Sequence, residues 1–200
     1  RKNDILDIAE TLFAQKGFEK TTIDEIAKIA GISKGSVYLD FENKDDIQYA
    51  LIKRRAKDLL EKSENYIKNA KGPYVKDFKT IIKQQVLDVF DMATSSIHKH
   101  ISLMHTNYNV KIKFKHIRKK HVLNLSYLLE KAAENNEIKQ FKNYEEIAHI
   151  ISVCLLGFFP PYDLKYAPSY RTDLKIEEIR EVLAKDIDMT VDIILSGLKR

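Results

Sequence analysis

The sequence predicts an all-α protein with a small N-terminal domain and a larger helical domain after it. Apolar residues recur at helical spacing along almost the whole chain, and only 6 Gly and 4 Pro interrupt them. The sequence contains no internal repeat and no hairpin signal. With 44% hydrophobic and 32% charged residues, the 200-residue chain can bury a core, which excludes the disordered and fibrous classes.

The first two predicted helices have clear ends. The first is amphipathic and ends at Gly17. The second is short and begins at Thr22, because Thr22 and Glu25 form the capping-box pattern that satisfies free amide donors at a helix start. Gly31 ends it.

Two further helices begin at residues whose side chains can cap them. Ser33 is the predicted N-cap of a third short helix. Asn43 caps a long fourth helix that extends to about Asn69, before Gly72 and Pro73 break it.

Beyond Pro73 the pattern stays helical. Residues 107–116 alternate apolar residues with Lys as a strand would, but no partner strand exists, so we predict a loop that enters a helix. Residues 147–159 are apolar on every side, which predicts burial on two faces. The last helix, over 176–198, carries a widened apolar stripe.

The net charge of +5 is not located where a DNA-binding N-terminus would need it. Residues 1–46 hold seven Lys and Arg against ten Asp and Glu, a balance of −3, and the remainder carries +8. A case for DNA binding must therefore rest on local pattern. Because the sequence begins at Arg1 rather than Met, we expect residues before it, which could add basic side chains.

Residues 22–44, TIDEIAKIAGISKGSVYLDFENK, predict a helix-turn-helix at about 23–42. Ala27 and Ala30 are small enough for two helices to cross closely. The apolar side chains that fill the wedge between these helices are Ile26, Ile32, Val37 and Phe41. The side chains left exposed on the third helix suit a DNA major groove about 12 Å wide. They are Ser33, Lys34, Ser36, Tyr38 and Leu39.

These residues resemble the TetR family of bacterial transcriptional regulators. The pattern IAxxAGISxGxxYxxFxxK at residues 26–44 carries the resemblance, together with FAQKGF at 13–18 and the pair Thr21 and Thr22. The match involves roughly the first quarter of the chain.

The resemblance implies a set of DNA contacts. Lys34, Ser36 and Leu39 would face base edges and set the sequence specificity, since phosphate contacts only position the protein. Tyr38 would contact phosphate or a thymine methyl group, and Thr22 and Lys44 would contact phosphates. The full set of predicted DNA-binding residues is Thr22, Ser33, Lys34, Gly35, Ser36, Tyr38, Leu39 and Lys44.

The resemblance also implies a homodimer in which the last two helices of each subunit form a four-helix bundle. Two recognition helices about 34 Å apart would then read the halves of a palindromic operator. The alternative is that these apolar residues fill the core of one subunit. The interface candidates are Ile150, Ile151, Cys154, Phe158, Val191, Ile194, Leu195 and Leu198.

A pocket for a small-molecule effector of unknown identity is implied for the middle of the chain. Aromatic residues at helical spacing can equally be core. The basic run at 111–120 is a solvated face, or else it attracts an anionic effector or makes a secondary DNA contact. The pocket candidates are Tyr66, Phe90, Met104, His105, Tyr108, Tyr127, His149, Phe158, Phe159 and Tyr162.

Catalytic, metal and membrane functions find little support in the sequence. It has none of the common hydrolase, zinc-protease or phosphate-loop motifs, and no two His lie four residues apart. We therefore expect no enzyme activity, no cofactor and no metal. The lone Cys154 indicates a reducing, cytoplasmic compartment. The longest uncharged run, 147–162, is too short for a bilayer, and no signal peptide begins the sequence.

The sequence thus predicts a homodimeric transcriptional regulator, a repressor that a small-molecule effector releases from its operator. Two alternatives remain. One is a helical small-molecule-binding protein or enzyme that keeps the helix-turn-helix as a packing unit, and the other is an activator that works through a protein partner. The predicted domains are 1–46 for DNA binding and 47–200 for effector binding and dimerisation.

Overall fold

The computed structural model describes residues 1–94, 114–158 and 175–199. Over these ranges it contains eight α-helices, one short 3-10 helix at Leu155–Phe158 and no strand, which confirms the all-α prediction. The helices are α1 (Lys2–Lys16), α2 (Ile23–Ile29), α3 (Lys34–Tyr38), α4 (Lys44–Lys68), α5 (Tyr74–Thr94), α6 (Lys115–Glu134), α7 (Tyr144–Cys154) and α8 (Ile176–Leu198).

The predicted helix caps are present. Thr22 and Glu25 form a reciprocal capping box: the Thr22 hydroxyl accepts from the Glu25 amide at 3.2 Å, and the Glu25 carboxylate accepts from the Thr22 amide at 2.9 Å. The Ser33 hydroxyl accepts from the Ser36 amide at 3.1 Å, and Asn43 caps α4. These local patterns fix where α2, α3 and α4 begin.

The described residues form two hydrophobic clusters. The first, which we call the head, joins α1, α2, α3 and the start of α4, and it includes Ile47 and Leu51. The second, the body, joins α5, α6, α7 and α8. Because Ile47 and Leu51 belong to the head, α4 enters the head core beyond the boundary predicted at residue 46.

Helix α4 connects the head with the body. The guanidinium of Arg54 holds α4 against α1, with its nitrogens 2.5 Å from a carboxylate oxygen of Asp7 and 2.6 Å from one of Glu10. Near the other end of α4, Ile67 packs against the body cluster. The first three turns of α4 thus belong to the head and its last turns to the body.

Helix α7 buries one face in this subunit rather than the two that its sequence predicted. Ala148 and Ile151 lie in the body core, whereas Ile150, Val153 and Cys154 are exposed. The 3-10 helix after α7 contacts α8. At the C-terminal end of α8, the carbonyl of Leu198 accepts from the amide of Lys139, which lies between α6 and α7, at 2.8 Å.

Within the described ranges, no helix combines the length and the apolar character that a bilayer crossing requires. The loop predicted at 107–116 lies outside the described residues except for its last three positions, and α6 begins at Lys115.

Candidate nucleic-acid interface

The turn between α2 and α3 sets the angle of the helix-turn-helix. Gly31 has φ of +66°, a backbone conformation that residues with a Cβ rarely adopt. The chain then turns back so that the amide of Ile32 donates to the carbonyl of Ala27 at 3.0 Å. Ile26 and Val37 are fully buried between the helices, as the sequence predicted.

Helix α3 presents its predicted DNA-reading residues outward. Val37 is its only buried residue, while Lys34 and Gly35 are exposed and Ser36 is half-buried. Next to them, Leu39 is 77% exposed and Tyr38 is 46% exposed. The outer face of α3 therefore combines one cation, two hydroxyl groups and an apolar side chain.

Gly35 leaves an open approach to the backbone of α3. A Cβ built at this position would meet only the Ser33 hydroxyl, at 3.7 Å, which is an ordinary contact. The fold itself thus does not require glycine here. The gap lies toward solvent, because Gly35 is exposed.

The carboxylates around the helix-turn-helix are paired with basic side chains. Asp24 accepts from the ammonium of Lys34 at 2.9 Å, which raises the pKa of Lys34. Asp40 accepts from the guanidinium of Arg1 at 2.7 Å, and this hydrogen bond lowers the pKa of Asp40. These ion pairs leave the balance of −3 over residues 1–46 unchanged, because Lys34 and Arg1 are already counted in it.

Glu25 is the most strongly shifted of these carboxylates. The Lys16 ammonium and then the amide and hydroxyl of Thr22 donate to it, and together they lower its pKa to about 2. The capping box of α2 thus stays ionised at any pH at which the protein would bind DNA. It fixes the start of α2, where Thr22 was predicted to contact phosphate.

Lys44, a predicted phosphate contact, binds backbone carbonyls inside the head. Its ammonium donates to the carbonyls of Phe18, Glu19 and Thr21 at 2.7, 3.3 and 3.0 Å, and it lies 4.3 Å above the Phe18 ring. A lysine has three N–H donors, so all of them are used inside the head. Lys44 ties the start of α4 to the loop between α1 and α2, and a sequence pattern carries no signal for contacts with backbone carbonyls.

The effector-pocket candidates that the structure describes lie in different environments. Phe90 is in the body core and Phe158 is half-buried against it. Tyr66 and Tyr127 are more than 40% exposed, and His149 is exposed on α7. The remaining candidates lie outside the described residues, namely Met104, His105, Tyr108, Phe159 and Tyr162.

Three buried polar atoms, at separate positions on α4 and α6, were not predicted from the sequence. Gln48 Nε2, Ser63 Oγ and Asn124 Nδ2 are buried without a hydrogen-bond partner among the described residues. On α6, burial lowers the pKa of His121 to about 4. The sequence signal that could have indicated them is a polar residue next to apolar residues of the same helix, as at Gln48 beside Ile47 and at Asn124 beside Leu125.

Helices α4 and α6 pack against each other, which places these polar groups on two neighbouring elements. The rings of Tyr49 and Phe114 meet edge to face at 5.6 Å. Farther along, the Lys120 ammonium lies 3.8 Å from a carboxylate oxygen of Glu64. The beginning of α6 thus lies against α4 close to the head.

The predicted dimer residues divide into two groups. Ile151, Val191 and Leu195 lie in the core of their own subunit, and Phe158, Ile194 and Leu198 are half-buried against it. Ile150 and Cys154 are exposed on α7. The other large apolar side chains exposed on α7 and in the second half of α8 are Val153, Met189 and Ile193, which the sequence reading had not selected.

No group of His, Cys, Asp and Glu side chains suited to a metal ion occurs in the described part of the chain. Two open clefts lie on its surface. One, of about 440 Å³, lies between α5 and α8, where Lys79 and Lys83 pair with Asp192 and Asp188. Neither cleft is lined by any of the predicted effector residues.

Curated relatives match this chain at its N-terminal part and beyond. The fatty acid metabolism regulator protein of Bacillus subtilis (strain 168) is 27% identical over 136 residues, which are 68% of this chain and 70% of that protein. The HTH-type transcriptional repressor KstR2 of Rhodococcus jostii is 40% identical over 62 residues, so the match spans less than a third of either protein.

Solved structures share the fold over nearly the whole length. A transcriptional regulator from Cytophaga hutchinsonii superimposes with a TM-score of 0.77 at 23% identity and covers 98% of this chain and 97% of its own. The regulator FadR from Bacillus subtilis, solved in complex with stearoyl-CoA, has a TM-score of 0.59 at 19% identity and covers 99% and 100%. At these identities the likeness establishes the fold.

The family model for bacterial regulatory proteins of the tetR family matches residues 5–51. This range contains most of α1, all of α2 and α3, and the first two turns of α4, which contribute Ile47 and Leu51 to the head core. Residues 5–51 are therefore similar to the tetR family of bacterial regulatory proteins, and the chain as a whole shares its fold with solved transcriptional regulators.

Proposed function

We propose that the chain is a sequence-specific repressor that a small-molecule effector releases from its operator. The observation that carries the proposal is the outward face of α3, where Leu39 is 77% and Tyr38 46% exposed around a single cation, Lys34. A polar helix face of this size fits the major groove. Lys34, Ser36 and Leu39 would read base edges, and Tyr38 would contact phosphate or a thymine methyl group.

The phosphate contacts would come from the edges of the head. Thr22 lies exposed at the start of α2, and the backbone at Gly35 is open to solvent. Lys44 supports these contacts indirectly, because its ammonium is occupied by three carbonyls of the loop that precedes Thr22. It would hold this loop and the start of α4 at the spacing that the DNA backbone requires.

We infer that the protein binds DNA as a dimer through α7 and α8. Exposed apolar side chains on a helix pair mark an interaction surface. Ile150 and Val153 on α7, and Met189 and Ile193 on α8, are each about half or more exposed. A two-fold axis at this surface would place two copies of α3 on successive turns of a palindromic operator.

The effector would bind between α4 and the body. Gln48, Ser63 and Asn124 support this location, because buried polar groups without partners cost free energy until a ligand or water satisfies them. The buried amide nitrogens of Gln48 and Asn124 are both donors, so an effector that reaches either of them would carry hydrogen-bond acceptors. The anionic amphipathic class to test first is an acyl-CoA, since FadR of Bacillus subtilis was solved with stearoyl-CoA.

Helix α4 would transmit effector binding to the DNA. Arg54 and Lys44 fasten its first three turns to the head, and Ile67 anchors its end in the body. An effector that favours one arrangement of α4 relative to the body would move the whole head and change the distance between the two α3 helices. It shifts the equilibrium only if it binds that arrangement more tightly.

The test is a fluorescence anisotropy titration of DNA from upstream of the chain's own gene, with unrelated DNA as competitor and over a range of salt concentrations. We expect saturable binding of two subunits per site and a steep salt dependence. Tyr38→Ala should weaken binding, whereas Tyr127→Ala, which removes a similarly exposed ring from α6, should not. The same titration then screens acyl-CoAs and other effectors for release.

Weak binding that is equal on every DNA sequence would contradict the proposal. It would favour the alternative of a small-molecule-binding protein or enzyme that keeps the helix-turn-helix only for packing. Specific binding by a protein that stimulates transcription in a reporter assay would instead indicate an activator.

A further inference from the structure

The helix-turn-helix contains an ion pair whose basic member lies on the recognition helix itself. The carboxylate of Asp24, in the first turn of α2, lies 2.9 Å from the ammonium of Lys34, the first residue of α3. The Asp24 side chain is 65% exposed and that of Lys34 is 49% exposed. Both groups therefore lie at the surface that would face DNA.

The Asp24–Lys34 pair differs from the neighbouring ion pairs because it neutralises a charge on α3 itself. Glu25 pairs with Lys16 of α1 and Asp40 with Arg1, so their basic partners come from outside α3. Lys34 is the only Lys or Arg between residues 33 and 39. In the free protein, Asp24 thus offsets the whole positive charge of the recognition helix.

The negative net charge of the head makes the neutralisation of Lys34 important for DNA binding. Residues 1–46 carry a balance of −3, so the head has little general attraction for the phosphate backbone. Non-specific DNA binding depends on electrostatic attraction between basic side chains and phosphates. Specific binding gains in addition about 1–3 kcal/mol of discrimination from each correct contact to a base edge. An exposed ion pair contributes roughly 0–1 kcal/mol to stability. A contact between Lys34 and a matching base therefore outweighs the loss of the ion pair with Asp24, whereas a contact with a mismatched base does not.

We propose that Asp24 is a specificity-determining residue: it holds Lys34 away from DNA phosphates until a matching base edge replaces it. Discrimination then arises because Asp24 weakens binding to unrelated DNA more than binding to the operator. This inference rests on the proposed DNA-binding function.

The test compares Asp24→Asn with the unmodified protein on the operator fragment and on unrelated DNA of the same length. We expect binding to unrelated DNA to strengthen about 3- to 10-fold and operator binding to strengthen less, so that the ratio of the two affinities falls. The salt dependence on unrelated DNA should steepen by roughly one phosphate contact, because Lys34 becomes available to the backbone. Asp24→Glu, which keeps the carboxylate, should preserve the ratio.

Two further variants isolate the pair. Asp58→Asn makes the same change of charge on an exposed position of α4 outside the helix-turn-helix and should leave the ratio unchanged. In a Lys34→Gln background, Asp24→Asn should lose its effect on unrelated DNA, because the group that it releases is absent.

A result in which Asp24→Asn weakens operator binding and leaves unrelated DNA unaffected overturns the inference, since Asp24 would then orient Lys34 toward its base. An unchanged ratio also overturns it. If the unmodified protein does not distinguish the operator fragment from unrelated DNA, the proposed function itself fails and the inference fails with it.

Discussion

The ammonium of Lys44 donates to the carbonyl of Phe18 at 2.7 Å and lies 4.3 Å above the ring of the same residue. One side chain from the start of α4 thus satisfies backbone acceptors in a loop that is 23 to 26 positions earlier in the chain. Thr21, in that loop, is buried and bonds to the Gly17 carbonyl. The relative position of α1, α2 and α4 depends on this connection.

Replacing Lys44 should therefore destabilise the head more than it weakens contact with phosphate. We expect Lys44→Met to lower the free energy of unfolding by about 1–3 kcal/mol, because three carbonyls lose a charged donor. The salt dependence of operator binding should be unchanged, since no phosphate contact is removed. Urea unfolding and anisotropy at several salt concentrations measure the two effects.

Lys53→Met is the matched control for this substitution. Lys53 is exposed on the same helix, and its loss should leave the urea midpoint almost unchanged. If Lys44→Met kept full stability and reduced the salt slope by about one contact, Lys44 would be a phosphate ligand as its sequence position suggested.

Gly35 allows folding and DNA binding to be separated in one substitution. A Cβ at this position meets no atom of the protein closer than 3.7 Å, and Ala is a better helix former than Gly. Gly35→Ala should keep or raise stability, by up to about 1 kcal/mol, while it weakens operator binding at least 10-fold because the methyl group occupies the approach to the backbone.

Gly197→Ala tests whether the loss of binding is local to α3. Gly197 lies in α8, and a Cβ there would meet no heavy atom within 4 Å. The variant should gain stability in the same way and bind the operator normally. Normal binding by Gly35→Ala would mean that DNA does not approach α3 at this residue.

The sequence predicted those features that depend on short spacing. The caps at Thr22, Ser33 and Asn43 involve partners three residues away, and the buried positions Ile26 and Val37 follow from the helical repeat of two short helices. The Lys44 contacts could not be predicted in this way, because their acceptors are backbone carbonyls that every residue carries.

The proposed dimer surface shows a second reason why the sequence did not predict all of the structure. The apolar stripe of α8 is wider than the face that the subunit core covers. Ile187, Val191 and Leu195 turn inward, whereas Met189 and Ile193 turn outward. Periodicity identifies such a stripe, but only the packing against α5 decides which edge of it remains exposed.

A charge on this outer edge should separate the subunits. We expect Ile193→Glu to convert a dimer into a monomer, because Ile193 is 66% exposed and a buried, unpaired carboxylate at an interface is costly. Operator binding should fall by at least 10-fold, since each subunit would then hold one half-site alone. Sedimentation velocity gives the oligomeric state, and anisotropy gives the affinity.

Leu123→Glu on α6 is the control for this charge. Leu123 is 42% exposed but lies on a helix outside the proposed interface, so this variant should remain dimeric. Dissociation by Leu123→Glu, with Ile193→Glu still dimeric, would move the interface from α8 to α6.

His121 should make the stability of the body depend on pH. Burial lowers its pKa to about 4, whereas in the unfolded chain the pKa is near 6.5. Between these values the unfolded state binds the proton and the folded state does not, so stability is full above pH 6.5 and is lost as the pH falls toward 4. From pH 7 to pH 5 we expect a loss on the order of 2 kcal/mol.

In His121→Gln this loss should largely disappear, whereas His149→Gln, on an exposed position of α7, should retain it. Urea unfolding at pH 7, 6 and 5 measures the effect above the range in which Glu25, with its pKa near 2, becomes protonated. An equal pH dependence in His121→Gln would mean that the pKa of His121 is the same in the folded and the unfolded chain, which contradicts the effect of burial.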